Sequence, residues 1–174
     1  FKTKILEAPG RILLGGAPDG VDALALSELA VLADGIHLHI ARDDRRVDRL
    51  RSVLAVFAPG LEVLSFPAWD CLPYDRISPN ADVLGERMHA LAALKARPKG
   101  PLLVLTTVNA VLQRVPPRDA LLGTALTLRT GGRIELAELS KFLESHGFGR
   151  SGTVREPGEY AFRGGIVDIF PPAA

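Results

Sequence analysis

The segment Gly15-Gly16-Ala17-Pro18-Asp19-Gly20-Val21-Asp22 has the spacing of a phosphate-binding loop. It keeps both glycines of the frame G-x-x-x-x-G-K-[ST] and loses the last two positions. A working loop needs a Lys to reach the β/γ-phosphates and a hydroxyl to hold magnesium. Val21 cannot carry that charge, and Asp22 would repel a triphosphate. The loop falls between an expected strand, Arg11–Gly15, and an expected helix, Val21–Ala33, where a phosphate loop belongs. Two interpretations stay open. One is a degenerate nucleotide site in a fold that binds a partner instead of hydrolysing nucleotide. The other is an ordinary strand-to-helix turn with Asp19 near the helix N-terminus as a cap.

The other candidate groups are weaker. His37 and His39 share one face of a period-two strand, so a metal is conceivable, but no Cys or carboxylate stands at ligand spacing. A central parallel strand, moreover, buries both faces. Asp43-Asp44-Arg45-Arg46 opens an amphipathic helix and is expected to form a solvated face. Cys71 with His89 lacks a third partner for a thiol nucleophile. No Asp-Glu pair follows a strand as a Walker B element would. No catalytic set and no metal site is therefore expected. Trp69 and Tyr74 sit on a loop stiffened by Pro67, Pro73 and Pro79, where aromatics either pack the loop or anchor a partner. Arg163 lies at a Gly-hinged bend between two apolar strands, where a guanidinium can point outward toward carboxylates.

These residues need a scaffold of alternating strands and helices. Helix Val21–Ala33 reads as largely buried, with Ser27 and Asp34 on its polar side. Strand 36–40 follows, then helix Asp43–Phe57 with Val47, Leu50, Leu54 and Phe57 on one face. Strand 61–66, a long loop, helix 82–96 with Leu84, Met88 and Leu91 on one side, strand 102–106 and a short helix through Arg114 complete an α/β pattern. Such alternation implies a parallel sheet with flanking helices. The pattern changes at Val115-Pro116-Pro117, so domains 1–117 and 118–174 are expected. The second has an expected strand at 125–130, a helix carrying Leu136, Leu139, Phe142 and Leu143 that stops at Gly147, and a β-rich end from Pro157 to Phe170. It reads as a smaller, incomplete α+β domain.

With 174 residues, 47% hydrophobic and 24% charged, the chain is globular, and its formal net charge of +1 gives no bulk attraction to nucleic acid. A single Cys excludes internal disulfides and fits a reducing, cytoplasmic compartment. No apolar run is long enough to span a membrane. The start at Phe1, without an initiator Met, suggests a fragment.

Three blocks carry a family resemblance. They are Phe66-Pro67-Ala68-Trp69-Asp70-Cys71-Leu72-Pro73-Tyr74-Asp75 with Ile77-Ser78-Pro79 and Glu86-Arg87; Val108-Asn109-Ala110-Val111-Leu112-Gln113-Arg114-Val115; and the stretch from Pro157 to Pro171. The chain resembles the N-terminal region of bacterial transcription-repair coupling factors, the Mfd family, a region itself similar to the excision-repair protein UvrB. The resemblance implies a P-loop helicase-like domain (UvrB domain 1a-like) with a degenerate nucleotide site at Gly15, Gly20, Val21 and Asp22, followed by part of a UvrA-binding domain 2. It implies that Arg163 belongs to the UvrA-contacting surface. Further contact residues would lie on a strand after Pro171, so the surface is expected to be incomplete. ATP and magnesium, with RNA polymerase and double-stranded DNA as partners, are implied for the parent translocase and not for this fragment. The competing class is a nucleotide- or DNA-binding helicase-type domain that contributes to ATP-dependent translocation.

Overall fold

A computed structural model describes residues 10–13, 15, 16, 18, 20–72, 78–96, 100–117, 119, 126 and 128–171. In chain order the elements are α1 (Val21–Ala33), β1 (Ile36–Ala41), α2 (Asp44–Phe57), β2 (Glu62–Phe66), α3 (Ala81–Ala96), β3 (Leu102–Thr107), α4 (Val108–Val111), α5 (Leu136–Ser145), β4 (Gly149–Arg150), β5 (Glu159–Arg163) and β6 (Ile166–Phe170). The chain divides into two compact units, one of residues 1–68 with 93–114 and one of residues 69–92 with 115–174, so the division runs through α3.

The first unit holds a three-stranded parallel sheet in the order β1-β3-β2. Leu102, Leu103, Val104 and Leu105 are apolar without alternation, and every residue of β3 is buried, as a strand covered on both faces requires. Its register places Leu103 beside His37 and Leu105 beside His39. On that face Leu103, Leu105 and Ala41 join Ala23 of α1 and Val47, Leu50 and Leu54 of α2 in one core. Thr106 donates its hydroxyl to the carbonyl of Phe66 at 2.8 Å, tying the end of β3 to the end of β2.

Several expectations need correction. Residues 11–13 and 15 adopt no strand, while Leu14 and Asp19 lie outside the described residues. Leu13 is 82% exposed, which a strand inside a covered parallel sheet would not allow. Among the described residues β1 pairs only with β3, so the His37 strand is not central. Helix α1 is buried along Ala23, Ser27 and Ala30, while Leu24, Val31 and Leu32 are exposed. The face is therefore the reverse of the one expected. Small side chains let the helix backbone approach its neighbours, and Ser27 can go inside because its hydroxyl donates to the carbonyl of Leu24. Phe57, at the end of α2, is also exposed. Helix α4 stops at Val111, short of Arg114.

In the second unit α5 ends as its Gly suggests. Gly147 has φ +82°, its N–H donates to the carbonyl of Glu144, and the N–H of Phe148 donates to that of Leu143. This pair of bonds is a Schellman stop, with Phe148 packed against the core of Leu139, Leu143 and Tyr160. A second three-stranded sheet, β4-β5-β6, pairs β4 parallel and β6 antiparallel to β5. The expected strand at 125–130 is absent at Leu126 and residues 128–130; Ala125 and Thr127 lie outside the described residues.

Candidate functional site

The stretch around Gly20 and the bend at Arg163 develop differently once folded. At the first, Gly20 is the N-cap of α1 with φ 93° and no side-chain cap, and Val21 and Asp22 form the first helical turn. Asp22 points to α2, where Arg46 donates from Nη2 to its Oδ2. Arg46 is delivered there because Asp43 caps α2, its carboxylate accepting the Arg46 N–H at 2.9 Å. That backbone hydrogen bond, and then one from Arg42, hold the Asp43 carboxyl below its ordinary pKa. The charged run is thus not a uniform solvated face: Asp44 and Arg45 are exposed, but Asp43 caps and Arg46 pairs.

Asp22, His39, Ile40, Ala41, Arg42 and Arg46 line an open cleft of about 430 Å³ beyond the carboxyl end of β1. His39 titrates below its ordinary value because burial disfavours its cation; Asp22 opposes this shift and Arg46 adds to it. The Asp22 carboxylate is thus engaged by a cation of the same chain. His37 lies on the same face of β1 but does not line the cleft, and its Nε2 is buried with no hydrogen-bond partner among the described residues. Among the described residues no group of His, Cys, Asp and Glu is arranged to hold a metal ion, and no hydrogen bond joins Cys71 to His89.

The aromatic loop has an unforeseen organiser. Arg87 of α3 is 2% exposed, and its guanidinium lies 4.3 Å from the centre of the Trp69 ring. Burial lowers the Arg87 pKa. A stacked cation covers one face of Trp69, which is a packing role. Leu84, grouped with Met88 and Leu91 on one side of this helix, is 42% exposed, and the buried residues of α3 are Arg87 and Ala90. Tyr74 lies outside the described residues.

Arg163 is the last residue of β5, before a two-residue turn in which Gly164 and Gly165 have φ of 53° and 87°. Positive φ at both central residues matches the twist of a tight hairpin, and Gly reaches it without strain. The inner face of the hairpin carries Tyr160, Phe162, Val167 and Ile169 against α5. Tyr160 is fully buried, meets Phe162 edge-on at 5.5 Å, and donates its hydroxyl to Glu144 of α5 at 2.7 Å. That bond, with a further one from Ser140, keeps the Glu144 carboxyl below its ordinary pKa. The outer face carries Glu159, Ala161 and Arg163 of β5 with Ile166, Asp168 and Phe170 of β6; Ala161 is buried, while Arg163, Ile166 and Phe170 are exposed. Arg163 donates from Nη2 to Oδ2 of Asp168 at 2.8 Å, with side chains 59% and 41% exposed. Asp168 was not foreseen as a site residue. The signal is nevertheless there, since a Gly164-Gly165 turn sets Arg163 opposite Ile166 and hence diagonal to Asp168 on one face.

The hairpin, helix and short parallel strand define a class. Residues 126–174 match the family model described as "UvrB interaction domain". Over 159 residues, 91% of this chain, it is 33% identical to the transcription-repair-coupling factor of Haemophilus influenzae and 35% identical to that of Escherichia coli. Identity to the same factor of Mycobacterium tuberculosis is 34% over 173 residues, 92% of this chain. The chain covers 14% of the length of each of these relatives. It belongs to the N-terminal, UvrB-like region of the bacterial transcription-repair coupling factor family. Among the described residues no helix is long and apolar enough to cross a membrane.

Proposed function

We propose that this chain is a docking module for UvrA and that the outer face of the β5–β6 hairpin, with Arg163, forms part of the docking surface. The position of Arg163 carries the proposal. Its side chain is 59% exposed on a hairpin whose other face is locked to α5 by Tyr160. An exposed Arg on a rigid element beside Ile166 and Phe170 is the mixture of planar cation and apolar rim that interfaces favour. The division into a UvrB domain 1a-like part, 1–117, and the beginning of a domain 2-like part, 118–174, belongs to the same proposal.

In this proposal the first part is a scaffold that takes neither nucleotide nor magnesium and catalyses nothing. The pairing of Asp22 with Arg46, together with Val21 at the lysine position, supports that assignment. The parent would deliver UvrA to stalled RNA polymerase in the bacterial cytoplasm during nucleotide-excision repair, with ATP-driven DNA translocation supplied by its other parts.

Titration of UvrA against the protein and its Arg163→Ala variant tests the docking face. The expected loss is about 1–3 kcal/mol of binding free energy, the range for an interface Arg anchor. Unchanged affinity would remove Arg163 from the surface. Calorimetric titration with Mg-ATP tests the scaffold assignment, and micromolar binding would return the chain to the nucleotide-binding class.

A further inference from the structure

The turn leaves Arg163 with little to rest on. Gly164 and Gly165 have no side chains, and the cross-strand neighbour Ile166 is 65% exposed. A long side chain at the end of a strand would sweep many rotamers there. On the outer face its guanidinium donates to Asp168 across the diagonal. That bond engages one nitrogen of the guanidinium, whose fork carries further N–H donors, on a side chain 59% exposed. With both side chains so exposed, the pair adds little to the stability of the fold. Its consequence is directional. Holding one edge of a planar fork fixes the plane in which the remaining donors meet a carboxylate, and rotamer freedom is given up before docking rather than during it. Ile166 and Phe170, 65% and 38% exposed on the same face, flank the pair with apolar surface.

We infer that Asp168 is a positioning residue for Arg163: it aims the guanidinium at a partner surface that offers a carboxylate among apolar groups. This inference rests on the docking face proposed above and adds the residue that sets its geometry. A partner carboxylate reaches Arg163 from the edge away from Asp168, because two carboxylates on one edge repel.

The test is a double-mutant cycle in UvrA binding with Arg163→Ala, Asp168→Ala and the double variant, together with Asp168→Asn. Asp168→Ala is expected to weaken binding about two- to fivefold, the span that an exposed ion pair can supply. Asp168→Asn keeps an acceptor oxygen and should recover most of the loss. In the Arg163→Ala background Asp168→Ala should have no further effect. Unchanged or tighter binding by Asp168→Ala, or an equal loss in both backgrounds, overturns the inference. If Arg163→Ala weakens binding while Asp168→Ala does not, only the positioning role falls. If Arg163→Ala itself is silent, the docking face falls with it. A partner-free measurement stands beside these: nitrogen relaxation at Arg163 Nε should report faster side-chain motion in Asp168→Ala, and unchanged motion counts against the inference.

Discussion

Each unit of this chain carries an Arg–Asp pair at a place where its sequence hints at chemistry, and the two pairs behave as opposites. Asp22 and Arg46, 27% and 31% exposed, join α1 to α2 and occupy the cleft beyond β1. Arg163 and Asp168, 59% and 41% exposed, lie across one hairpin beside its turn. Identical side-chain chemistry closes one place and presents the other. Burial makes the difference, because a charge held partly out of water needs its partner, whereas an exposed one has water as an alternative.

The comparison breaks first if the support beneath the exposed pair is removed. Leu143 of α5 is 4% exposed and touches the core under Tyr160. Leu143→Ala should cost about 2–5 kcal/mol of stability for the second unit, the usual range for emptying a buried leucine site. Trp69, the only Trp in the chain, belongs to the same unit and reports its unfolding by fluorescence during urea denaturation. A shift worth less than about 1 kcal/mol would mean that α5 does not hold the hairpin, and the rigid presentation of Arg163 would lose its basis.

Removing the pairs themselves sharpens the contrast. Asp22→Ala leaves the Arg46 guanidinium partly buried without its carboxylate and should cost about 1–3 kcal/mol, as for a lost hydrogen bond to a charged group. Asp168→Ala should cost about 0–1 kcal/mol. Urea midpoints of the two variants compare them directly. Equal costs would show that exposure is not what separates the two sites.

Much of this arrangement follows from short-range patterns. The alternation of 36–40, the cap at Asp43, the Gly147 stop and the Gly164-Gly165 hairpin are local, decided by residues within a few positions of each other. The pairs that define the sites are less local. Arg46 meets Asp22 across 24 positions, through the mutual packing of two helices, and no periodicity encodes it. Helix α1 shows why burial could not be read from apolarity: ten of its thirteen residues are apolar, so the inward face was chosen by size, with Ala23, Ser27 and Ala30 inside and Leu24 and Leu32 out. Arg87 shows the converse. Its charge assigns it to the surface until the Trp69 ring is placed against it. Asp168 is the intermediate case, recoverable from turn length and strand alternation once both are combined.

The smallest expected effect is also the most selective for the cleft. His39 is held below its ordinary pKa chiefly by burial, with Asp22 of α1 opposing the shift and Arg46 of α2 reinforcing it. The unfolded chain therefore takes up a proton at this position more readily than the folded one. Above the ordinary value of 6.5 both states are neutral there and the group leaves stability unaffected. As pH falls below 6.5 toward the lowered folded value, the unfolded state is protonated first and stability declines. His39→Asn should flatten that part of the pH profile relative to the parent, measured by urea unfolding between about pH 7.5 and 5. Asp22→Ala removes the charge that favours the imidazolium, lowers the folded pKa further, and should steepen the loss toward acid. Asp168→Ala, at a residue that does not line the cleft, should leave the profile unchanged over this interval. A parental slope retained in His39→Asn would move the titration to another histidine and detach it from the cleft.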